Sequence, residues 1–131
     1  MDSGPERGAL VIVAVSYDSA SLNRRMDTLQ KAGHIVIPAS SRESCLTHIR
    51  TATYHLLLIG STVPAANRKQ FVELSRKVSP LSKIISVELS DSQPLALADK
   101  RVMAGDEDAL LVAVTSLLSG DDESDLEERR R

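Results

Sequence analysis

The chain has no tryptophan, one phenylalanine and two tyrosines, so aromatic residues make up 2% of its 131 positions. That scarcity excludes the platforms that hold single-stranded nucleic acid, which need aromatic rings for stacking. A single cysteine, Cys45, excludes an intrachain disulfide and any multi-cysteine metal site, and suits a reducing compartment. No apolar run approaches the roughly 20 residues needed to span a bilayer. Met1 to Gly8 carries Asp2, Glu6 and Arg7 and lacks the basic head and apolar centre of a signal peptide. Net charge is −2, so no global field draws in DNA or anionic lipid. These absences predict a cytoplasmic protein with no direct nucleic-acid or membrane contact.

What the chain does have is aliphatic. Hydrophobic residues reach 42%, enough for a real core built from Leu, Ile, Val and Ala. That palette suits buried parallel strands covered by helices. The length fits one domain. Charge is uneven: Gly120 to Arg131 holds six acids and three arginines, −3, while the other 119 residues sum to +1. Leu126 is the one apolar residue of that tail, which is expected to be disordered or a frayed helix. The expected division is a flexible start over 1–8, a folded domain over 9–119 and a charged tail over 120–131.

Apolar runs alternate with helical periodicity. Ala9 to Val15 reads as a buried strand. Asp18, Ser19 and Ser21 compete to cap a helix whose inner face carries Leu22, Met26 and Leu29, and Gly33 stops it. His34 to Ala39 is a second strand, with Pro38 near its end or at a sheet edge. Ser40 to Glu43 fits a capping box, and Cys45, Leu46, Ile49 and Ala52 form the face behind it. Leu56 to Ile59 is the most apolar strand. Phe71, Leu74 and Val78 mark a third helix that ends before Pro80. Ile84, Ile85 and Val87 give a fourth strand, Val102 and Met103 a short fifth. Asp106, Glu107 and Asp108 open a last helix, where the dipole favours negative charge. Its face is Leu110, Val114 and Leu117, widened by Leu111 and Leu118, and Gly120 ends it. Five strands and four or five helices, joined by right-handed crossovers, predict an α/β domain: a three-layer, doubly wound, five-stranded parallel sheet. The segment from Asp91 to Asp99, interrupted by Pro94, leaves a shortened fourth crossover.

In such folds chemistry sits beyond the carboxyl ends of the central strands. Here that place is the stretch from Leu56 through Gly60 to Pro64. Together with Gly33 and the turn Ala39-Ser40-Ser41, it resembles the response-regulator receiver family, a flavodoxin-like fold, over roughly Leu10 to Leu118. The family reads Leu-Leu-Asp-x-x-x-Pro at this strand, and its aspartate accepts a phosphoryl group. Gly60 stands in that place and offers no nucleophile. The family's pair of Mg²⁺-holding acids falls on Ser16-Tyr17 or Tyr17-Asp18, leaving Asp18 as the residual acid. Its Ser or Thr after the fourth strand falls on Val87 or Glu88. Its lysine falls near Met103, with Lys100 three residues early. Phosphoryl transfer needs a nucleophile, a metal and charge neutralisation together. The resemblance therefore implies a degenerate receiver, or pseudo-receiver, of a bacterial phosphorelay-related signalling pathway. It would be no enzyme, would hold no metal or other cofactor, and would act by binding a protein partner or by self-association.

The rival reading is a flavodoxin-like domain that binds a small phosphate-bearing ligand at the Ser16 to Ser21 loop, before a helix N-terminus. That loop has no glycine, so capping is its expected role. Ser61 and Thr62 are expected to satisfy loop backbone groups rather than act as nucleophiles. His34 and His55 are placed at strand starts, and His48 has no fitting metal-ligand company. Cys45 reads as a small core residue. Arg68, Lys69, Arg76, Lys77 and Lys83 form a modest basic cluster that reads as a solvated face, or as a surface for an acidic partner or for the tail from Asp121 to Glu128.

Overall fold

The computed structural model describes residues 9–89 and 98–118, with the side chain of Leu118 outside that description. The expectations placed on residues 1–8, on Pro94 and the crossover around it, on Leu118's side chain, on Gly120 and on the acidic tail lie outside the described residues. In chain order the elements are β1 (Val11–Val15), α1 (Ser19–Lys31), β2 (Ile35–Ala39), α2 (Arg42–Thr51), β3 (Leu56–Ile59), α3 (Ala65–Val78), β4 (Lys83–Glu88), β5 (Lys100–Met103) and α4 (Glu107–Leu118). The strands form one parallel sheet of order β2-β1-β3-β4-β5. The expected α/β architecture is what the chain adopts.

The aliphatic runs form this sheet because both of its faces are covered. Strand side chains alternate between the faces. Ile12, Ala14, Leu56, Leu58, Ile85 and Val87 share one core with Leu22, Leu29, Leu110 and Val114 of α1 and α4. Val13, Val15, Leu57, Ile59 and Ile84 share the other with Cys45, Leu46, Ile49, Phe71 and Val72 of α2 and α3. All four residues of β3 are buried, as befits the middle strand. Each fully buried Leu or Ile contributes about 1.5–3 kcal/mol relative to exposure.

Local signals set the helix ends. Asp18 accepts from the Ser21 N–H and caps α1. Gly33, at φ 97, ends it with its N–H on Gln30 O, while the His34 N–H reaches Leu29 O. This is the paired closure that a left-handed glycine permits. The capping box of α2 sits one residue later than the sequence suggests: Ser41 is the cap and Ser44 its partner. The Ser44 hydroxyl, and not the Glu43 carboxylate, accepts the reciprocal bond from the Ser41 N–H. The inner face of α3 also differs. Arg68, Phe71, Val72 and Ser75 are buried, whereas Val78, expected inside, is 45% exposed. Val78 is the last residue of the helix. β4 ends at Glu88 and β5 begins at Lys100. That gap is shorter than the dozen or so residues usual for a parallel crossover.

Candidate functional site

The β1–α1 and β3–α3 loops meet at the carboxyl edge of the sheet. Ser16 Oγ lies 3.1 Å from Thr62 Oγ1, which also accepts the Tyr17 N–H at 2.9 Å. Thr62 thus satisfies loop backbone, as expected, and joins the two loops as well. The Tyr17 hydroxyl accepts from Asn67 Nδ2 at 2.9 Å. Burial raises the Tyr17 pKa above its ordinary value, and the Asn67 bond opposes the shift.

The Asp18 carboxylate is engaged at the start of its own helix. Its Oδ2 accepts from Ser21 N at 2.9 Å and from Ser21 Oγ at 2.6 Å. The Ser21 hydroxyl, then the Ser21 N–H, hold this exposed carboxyl below its ordinary pKa. The carboxylate already occupies the N-terminus of α1, where the rival reading would seat a phosphate; a second anion there would meet like charge. Among the described residues no group of three or more His, Cys, Asp and Glu converges as a metal site would require.

Gly60 is fastened between the same loops. Its N–H donates to Val15 O at 2.8 Å, and its carbonyl accepts from Val63 at 3.2 Å. The need for glycine is spatial. A Cβ there would stand 2.9 Å from Val15 O, 3.2 Å from Ser16 Cβ and 3.2 Å from Arg25 Nη1. By the strand alternation, position 60 continues the Leu56–Leu58 row toward α1. Arg25 comes from that helix and is 4% exposed. Its Nε is buried with no hydrogen-bond partner among the described residues. Burial lowers the Arg25 pKa, and the charge of Glu107 at the start of α4 opposes the shift. The spacing Leu22, Met26, Leu29 did not reveal this residue. Arg25 lies one step from Met26 on the helix, so it reaches the same core from the flank, and its charge disguised it as a surface residue.

A second buried guanidinium lies on the opposite face. Arg68 of α3 is 6% exposed. Its Nη2 donates to Ser86 Oγ and, at 3.1 Å, to Val87 O. Ser86 Oγ donates to Glu88 Oε2 at 3.1 Å, and Glu88 Oε2 stands 4.0 Å from Arg68 Nη2. Burial lowers the Arg68 pKa, with Glu88 opposing. Ser86 is paired with Ile59 in the sheet. One step further, Val87 stands beside Gly60, and Val87 is 2% exposed. Of the two sequence candidates for that place, Val87 faces the core of α1 and α4, while Glu88 turns to Arg68. Met103 pairs with Glu88 and is 46% exposed, and Lys100 is at the far end of β5. The edge therefore gathers Ser16, Gly60, Val87, Glu88 and Met103, but it aims a guanidinium at position 60.

The structure spreads out the basic cluster of the sequence. Arg68 turns inward, Arg76 pairs with Asp99 at 3.3 Å, and Lys69, Lys77 and Lys83 remain exposed. Cys45 is fully buried, and burial pushes its thiol pKa up to about 12.

This topology has many solved counterparts. A CheY-like response regulator receiver domain from Methanospirillum hungatei superposes with a TM-score of 0.74 at 22% identity, over 87% of this chain and 97% of that one. The chain has the receiver fold. A response regulator from Thermotoga maritima, solved in complex with Mg(2+)-BeF, gives 0.72 at 22% identity over 82% and 97% of the two chains. The receiver domain of a Francisella response regulator gives 0.73 at 17% identity over 84% and 97%. No protein-family model and no curated protein matches the sequence. Among the described residues no helix is long and apolar enough to cross a membrane.

Proposed function

We propose that this receiver-fold domain works in signal transduction without aspartyl phosphorylation, as a module that binds a protein partner or a second copy of itself. The observation that carries the reading is the pairing of Gly60 with Arg25. The place of the family's acceptor has no room for a Cβ and faces a buried guanidinium. A cation there opposes Mg²⁺, which is usually held by carboxylate and phosphate oxygens. Val87 at the neighbouring strand end offers no hydroxyl, and Asp18 is engaged with Ser21. With no side chain at position 60, Asp18 held by Ser21 and the Ser16 and Thr62 hydroxyls bonded to each other across the two loops, the surfaces of the domain are the favoured means of signalling, which supports a role in interaction. The test is incubation with acetyl phosphate and Mg²⁺ followed by intact-mass measurement. The expected spectrum shows no phosphoryl adduct. An adduct that disappears in Asp18→Asn would overturn the proposal.

A further inference from the structure

At the opposite end of the sheet, β1 is fastened by two imidazoles. His34 directly precedes β2 and His55 directly precedes β3, the two neighbours of β1. The Leu10 N–H donates to His34 Nδ1 at 3.1 Å, and the Val11 N–H donates to His55 Nδ1 at 2.9 Å. The main chains lock in the reverse sense: Ile35 N–H donates to Leu10 O and His55 N–H to Val11 O, each at 2.9 Å. Two successive backbone donors are thus served by ring nitrogens, each of which accepts only while its imidazole is neutral and carries its proton on Nε2. A second proton turns each acceptor into a donor that faces another donor.

We propose that His34 and His55 form an acid-sensitive latch on the start of β1, which lets go of Leu10 and Val11 when the rings become imidazolium. Among the described residues, the charge next to the His55 ring is positive. Burial holds the His34 pKa below the ordinary imidazole value. His55 lines a cavity of about 320 Å³ with Leu10, Leu56, Lys83 of β4 and Leu117 of α4. Among the described residues of that lining Lys83 is the one Lys, Arg, Asp or Glu, and it would repel an imidazolium. Release of Leu10 widens this cavity.

The direction of the pH effect follows from His34. The unfolded chain takes up the proton at the ordinary imidazole value, before the folded protein does. The latch is therefore complete above that value and weakens as pH falls through the folded one. The test compares the wild type with His34→Asn/His55→Asn, whose amide oxygens can accept the same N–H groups without titrating. Between about pH 7.5 and about pH 5, the wild type should lose at least about 3 °C more in Tm than the variant. In the wild type, exchange of the Leu10 and Val11 amides with solvent should rise about tenfold as the rings titrate. Equal losses of Tm, or amides that keep their protection throughout the ring titration, would overturn the latch. Should the double variant not fold, the wild-type amides decide alone.

Discussion

At the scale of single residues, the two buried arginines make opposite demands. The Nε of each is buried with no acceptor among the described residues, but Arg68 also reaches a hydroxyl, a carbonyl and a carboxylate through its Nη2. A buried polar group without partners costs free energy, and removing one member of a buried bonded network costs more. Arg68→Met should therefore lower stability by about 2–4 kcal/mol. Arg25→Met, which fills similar volume, should leave stability unchanged or raise it by about 1 kcal/mol. Urea unfolding of both variants checks the contrast, and equal losses would mean that Arg25 is better bonded than its geometry shows. Sequence alone revealed neither side chain as part of the core. Charge marks a residue for the surface in any reading of periodicity, and only the fold brings Arg25 to Gly60. The glycine itself was legible, since the absence of a side chain can be read at one position. What packs against that position cannot.

At the scale of elements, the strands and helix faces were largely legible because each carries its own signal. Seven apolar residues in a row, or leucines recurring along one helix face, mark burial without reference to the rest of the chain. The misreadings occurred where two adjacent residues offer the same chemistry. Ser40 and Ser41 can both cap, and the fold chose Ser41 because Ser44 returns its bond. Val78 continues the period of α3 at its last residue, yet is 45% exposed. Gly33 is the opposite case, since only its backbone matters. At φ 97, with nothing within 4 Å of an added Cβ, its substitution is limited by conformation and not by space. Gly33→Ala should cost about 1 kcal/mol, seen as a lower urea midpoint with unchanged slope. A neutral result would show that the α1–β2 junction can close in another way.

At the scale of the whole molecule, one sheet with a core on each side should open cooperatively. Cys45 offers a built-in probe of that opening. It lies in the α2–α3 core, with a thiol pKa near 12. Only the thiolate reacts readily, so modification should require exposure of this core. Thiol labelling at about pH 8 should proceed at a rate set by unfolding or by opening of the α2–α3 layer, and should speed up steeply across the urea transition. Rapid labelling of the native protein would reveal a local route to α2 that the close packing does not suggest.

The contact between Gly60 and Arg25 also bears on how such a chain can change over generations. A single mutation to aspartate at 60 would press a new side chain against Val15 O and place its carboxylate beside a resident cation. A free carboxylate at that place would need the helix to give up its arginine as well, so neither change alone provides one. The pair therefore works like a ratchet, with each member holding the other in place against replacement one residue at a time.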